Sequence, residues 1–79
     1  MARVTGFQKQ NLHRSKLHPT ETQCEYAIFE HGGQQFLQIS SSGSKDRKTP
    51  GNVTQTYQFD LNSARELSRI IGLAFPELA

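Results

Sequence analysis

Seventy-nine residues with nine Lys and Arg, seven Asp and Glu, and 34% hydrophobic side chains describe one small domain with a thin core. A chain of this size buries only about 60% of the surface it exposes when unfolded, so its stability is expected to be modest and a homodimer is the natural supplement. The lone Cys24 excludes an internal disulfide, no apolar run reaches the roughly 20 residues of a membrane span, and no export leader is recognisable, so a cytoplasmic protein is expected, with no membrane association.

The first segment, residues 1–19, reads as a basic N-terminal arm, partly flexible. It lacks periodicity and carries Arg3, Lys9, Arg14 and Lys16 with no acid before Glu21. Phe7, Leu12 and Leu17 are its only larger apolar side chains after Val4, and they can dock short pieces of it. Pro19 then biases His18 away from helix, and residues 20–79 read as a single ββ(β)α domain.

From Gln23 the period is two. Cys24, Tyr26 and Ile28 alternate onto one face, expected to be buried, with Glu25, Ala27 and Phe29 on the other. His31-Gly32-Gly33 marks a hairpin turn, because glycine adopts positive φ at little cost. The returning strand, residues 34–42, continues the apolar face with Leu37 and Ile39 and places Phe36, Gln38 and Ser40 opposite. Next comes the Gly/Ser/Pro loop of residues 43–52, which concentrates Lys45, Arg47 and Lys48. Loops on rigid scaffolds commonly carry function, and a cationic loop points to an anionic partner. A third strand, residues 53–59, is expected to turn Val53, Tyr57 and Phe59 inward and Thr54, Thr56 and Gln58 outward.

Ala64, Leu67, Ile70, Ile71, Ala74 and Phe75 form one stripe at helical spacing, ended by Pro76. Ser63-Ala64-Arg65-Glu66 matches a capping box, with Asp60 and Asn62 as alternative caps. Gly72 inside the helix costs up to about 1 kcal/mol relative to Ala and has no explanation at this level. The expected fold is therefore α+β: a small antiparallel sheet of three to four strands packed on one C-terminal helix, in two layers. The fourth strand, if present, has to come from residues 3–20.

With the helix on one side, the other sheet face carries Glu25, Ala27, Phe29, Phe36, Gln38, Ser40, Thr54, Thr56 and Gln58. Aromatic rings stack on bases, amides and hydroxyls bond to base edges and phosphates, and nearby Lys and Arg neutralise the backbone. For Phe29 and Phe36 themselves the first reading is structural, a cross-strand pair under the N-terminal segment or in a dimer interface. No enzymatic chemistry is expected. Cys24 alternates inward as a small hydrophobe, and His13, His18, Cys24 and His31 lack the short paired spacing of a zinc module, so neither a metal nor another cofactor is implied.

Leu37-Gln38-Ile39, then Lys48-Thr49-Pro50-Gly51, then Thr56-Tyr57-Gln58-Phe59-Asp60 leading into the helix give residues 23–75 an element order that resembles the small single-stranded-DNA-binding domains of the transcriptional positive-cofactor-four type. That resemblance implies a curved sheet backed by a C-terminal helix, a homodimer, a role in transcription regulation, and Lys45, Arg47 and Lys48 as backbone contacts beside a groove on the sheet. Three strands and a helix also resemble the small DNA-binding domains of integrase-arm type, which address duplex DNA. The sequence reading is thus a non-enzymatic nucleic-acid-binding module, single-stranded DNA first, using Lys45, Arg47, Lys48, Phe29, Phe36, Gln38, Thr54, Thr56 and Gln58, with Arg14 and Lys16 from the arm. The alternative is a protein-interaction domain, a small regulator or inhibitor docking on a larger host or phage complex.

Overall fold

The computed structural model describes residues 1–12, 16–44 and 55–79, with the side chains of residues 42–44 left out. Four strands precede one long helix: β1 (Ala2–Val4), β2 (Thr22–His31), β3 (Gln34–Ser44), β4 (Gln55–Phe59) and α1 (Leu61–Ala74), followed by a short 3-10 turn at Pro76–Leu78. The strands form one sheet in the order β1-β4-β3-β2, and α1 packs against it, giving the α+β architecture read from the sequence.

The hairpin forms where the glycines permit it. Gly32 and Gly33 sit at φ 60° and 78°, the left-handed pair that a two-residue turn between right-twisted strands requires, and His31 faces Gln34 across it. From there Ile28 opposes Leu37 and Tyr26 opposes Ile39, with a register irregularity between Thr22 and Cys24. β4 joins β3 antiparallel through Leu37 with Phe59 and Ile39 with Tyr57. The expected third strand is shorter in its described part, Gln55–Phe59; Val53 and Thr54 lie outside the described residues.

The fourth strand is supplied by the start of the chain. Ala2, Arg3 and Val4 run parallel to β4, opposite Tyr57, Gln58 and Phe59. The first residues of the arm are therefore part of the sheet, and Phe7 just beyond them stacks on Phe59 with ring centroids 6.4 Å apart and planes 8° from parallel.

Asp60 caps the helix, in place of the box expected at Ser63 to Glu66. Its carboxylate accepts from the Ser63 backbone N–H at 2.8 Å, and Ser63 Oγ accepts from the Asp60 N–H at 3.0 Å. Helix formation starts directly after β4 because this reciprocal pair satisfies the first orphan donors three residues earlier than the sequence match suggests. The bond from the Ser63 N–H is also the main reason that the Asp60 carboxyl is held below its ordinary value of 3.8. A lowered native value means that this contribution to stability is present above the unfolded value and is lost as pH falls through the native one. Asp60→Ala should accordingly lower the thermal midpoint at neutral pH and flatten its acid dependence, with Asp60→Asn keeping most of the cap; equal acid profiles for wild type and Asp60→Ala would show that the cap adds no stability.

Phe75 ends α1, its N–H bonding to the Ile71 carbonyl, and the 3-10 turn folds back so that Ala79 meets Gly72. A Cβ at position 72 would stand 3.3 Å from the Ala79 Cβ, a close contact that a small shift of the chain end would relieve.

The core is thinner than the periodicity implies. Phe59 (7% exposed) is the one buried apolar side chain among the described residues, while Leu37 and Ile39 are half-buried. Tyr26 and Ile28, expected inside, are 76% and 69% exposed, and Cys24 is exposed beside them. The reason is topological. α1 begins one residue after β4 and rests on β3 and β4, with Leu61 and Ala64 beside Phe59 and Leu37, so the β2 end of the apolar face is left uncovered.

Candidate nucleic-acid interface

Alternation and register place the polar face of the sheet in rows. Glu25, Ser40 and Thr56 form one; Ala27, Gln38, Gln58 and Arg3 form the next; Phe29 and Phe36 form the third, with His31 and Gln34 at the turn. Five of the residues expected to bind therefore share one face: Phe29, Phe36, Gln38, Thr56 and Gln58.

Phe29 and Phe36 are directly opposite across β2 and β3 and stack at 5.5 Å with planes 16° apart, both half-buried. They are the cross-strand pair of the structural reading and still present ring surface outward. A depression of about 270 Å³ opens beside them, lined by Phe29, Phe36, His31, Gln58 and Arg3. Arg3 comes from the outermost strand on one side and Phe29 from the outermost on the other, so the depression spans the width of the sheet.

Next to the rings, Gln58 Nε2 donates to Gln38 Oε1 at 2.9 Å. That bond holds both amides in place and leaves donors on Gln38 and an acceptor on Gln58 for a ligand. The guanidinium of Arg3 adds a fixed positive charge and a planar fork of donors. Flat rings, the Gln58 amide and a cation in one shallow depression can stack on a base, bond to its edge and neutralise a phosphate.

Thr56 has a different role from the one expected. It is 6% exposed and its hydroxyl pairs with that of Ser40 at 3.2 Å, so it bridges β3 and β4. Glu25 in the same row puts a carboxylate on this face. Lys16 is exposed on the segment between β1 and β2 and does not line the depression. Arg14, Lys45, Arg47, Lys48 and Thr54 lie outside the described residues. The residues that sequence reasoning missed are Arg3 and His31. Arg3 was visible only as arm charge, because nothing local signals that a three-residue segment pairs with β4; His31 follows the same alternation as Phe29 and was extractable from it.

Among the described residues no helix is long and apolar enough to cross a membrane, and no group of three or more His, Cys, Asp and Glu is placed to hold a metal ion. In comparisons with known proteins, no family model, no curated protein and no solved structure matches this chain.

Proposed function

We propose that this chain is a non-enzymatic nucleic-acid-binding module that holds single-stranded DNA across the polar face of its sheet. The observation that carries the reading is the depression in which the Phe29–Phe36 stack, Gln58 and Arg3 converge, with Gln58 held by its bond to Gln38. Single strands suit it because unpaired bases offer their π-faces to rings on a shallow surface, whereas a duplex keeps those faces stacked inside.

The basic loop follows the same strand in sequence. β3 runs from Phe36 beside the depression to Ser44, and the loop with Lys45, Arg47 and Lys48 follows it. The eight steps of strand from Phe36 to Ser44 cover about 26 Å at roughly 3.3 Å each, room for several nucleotides between ring contacts at one end of the sheet and the start of the loop. In this reading the rings and amides take bases, and Arg3 with the loop cations takes phosphates.

Fluorescence anisotropy of labelled single-stranded and duplex oligonucleotides across a salt series tests it. The expected result is single-strand preference, with log affinity falling against log salt by about 0.7 per phosphate contact. Absence of binding to either form overturns the proposal, and a preference for duplex overturns the single-strand assignment.

A further inference from the structure

We infer that the outer edge of β2 is a docking site for an extended, basic segment of a partner protein, which joins the sheet as an additional strand. Among the described residues, the strand order gives β2 a neighbour on one side only, so its other side is an edge ten residues long. The opposite edge of the sheet is the three-residue β1. Edges are commonly blunted by shortness, proline or lysine. β2 is long and contains neither residue.

The hairpin fixes which backbone groups face outward. A two-residue turn makes His31 and Gln34 exchange both of their backbone bonds, and the alternation of an antiparallel ladder extends this to Phe29 with Phe36, Ala27 with Gln38 and Glu25 with Ser40. Tyr26, Ile28 and Glu30, between them, therefore direct their N–H and C=O groups away from β3. All three residues are exposed, and among the described residues no strand lies beyond them. An incoming strand meets donors and acceptors already at strand spacing, the arrangement on which peptide addition to a sheet edge relies.

The charge on this edge decides the occupant. Glu25 and Glu30 are exposed and stand opposite Ser40 and Gln35, and neither β2 nor β3 carries a Lys or Arg. Opposite charges facing one another across a strand pair are stabilising, and like charges are destabilising. A second β2 would bring two more glutamates to the junction and no cation. A segment with Lys or Arg across from Glu25 and Glu30 supplies the charge that β3 lacks, and Tyr26 and Ile28 favour apolar residues opposite them. Running antiparallel from Glu30 to Glu25, the peptide Lys-Thr-Val-Thr-Val-Lys meets the edge position by position. The inference does not rest on nucleic-acid binding, because an added strand lies beside the sheet and leaves its polar face open.

Amide hydrogen exchange of the isotope-labelled full chain, with and without this peptide at millimolar concentration, tests it. The N–H groups of Tyr26, Ile28 and Glu30 should exchange rapidly in the free chain and about tenfold or more slowly with the peptide bound. Methylating the backbone nitrogens of the two Val, which pair with Tyr26 and Ile28, should abolish that protection, whereas methylating those of the two Thr, which point away from β2, should leave it. Glu-Thr-Val-Thr-Val-Glu should bind about tenfold or more weakly, and a chain carrying Glu25→Lys and Glu30→Lys should reverse the preference. No protection at these amides, protection that survives methylation of the Val nitrogens, or equal binding of the basic and acidic peptides overturns the inference. So does protection in the free chain that rises with its own concentration, the mark of a second copy at this edge.

Discussion

Replacing Phe59 with alanine is expected to remove most of the folding stability, the largest single effect of any substitution considered. Truncating a buried phenylalanine costs about 3–5 kcal/mol through lost transfer free energy and the cavity left behind, and domains of this size hold only about 5 kcal/mol or less in total. Phe59 sits where the structure has no redundancy. It pairs with Leu37 on one side and Val4 on the other, stacks on Phe7, and lies under the first turn of α1. Urea titration followed by circular dichroism checks this: Phe59→Ala should lose its folded baseline or shift the midpoint to very low urea. Phe7→Ala should cost much less, with a coupling of about 0.5–1.5 kcal/mol between the two rings in a double-mutant cycle. A Phe59→Ala protein with the wild-type midpoint would place the core elsewhere.

The second large effect concerns affinity. If bases stack on the Phe29–Phe36 surface, each ring contributes about 1–3 kcal/mol, so alanine at either position should raise the Kd for a single strand by about 5- to 150-fold. Alanine also removes a cross-strand contact, and a loss of binding through unfolding has to be separated from a loss of stacking. Phe36→Leu does so, because it keeps apolar volume on the strand and removes the π-face. Anisotropy titrations should show Phe36→Leu folded, by its urea midpoint, and nearly as weak as Phe36→Ala. Binding at wild-type strength by the leucine variant would exclude ring stacking. Arg3→Ala should flatten the salt slope by about 0.7, the signature of one phosphate contact on a single strand.

Bond by bond, the site divides into parts of different legibility. Phe29, Phe36, Gln38 and Gln58 could be assigned to one face from alternation, since a strand sends every second side chain the same way and the Gly32-Gly33 turn sets the register. The burial of Thr56 could not, because it depends on Ser40 lying opposite at hydrogen-bond distance. Arg3 could not either: three residues carry too little periodicity to announce a strand, and their pairing with β4 joins segments far apart in sequence, Ala2 with Tyr57. Asp60 and Ser63 show the same limit on a smaller scale. Both positions match capping chemistry, and the end of β4 at Phe59 selects the earlier one.

Local chemistry alone therefore settled the element types from β2 onward, the hairpin, the helix from its apolar stripe, and the division of the sheet into an apolar and a polar face. These follow from backbone periodicity and from glycine's access to positive φ, which need no distant partner. Tertiary structure decided which of the apolar residues are covered. The stripe on α1 and the row through Tyr26 look equally core-forming as sequence, yet a helix tethered one residue after β4 rests on β4 and β3. Burial is a property of what lies opposite, and the same alternation that marks Phe59 as core leaves Tyr26 and Ile28 in solvent.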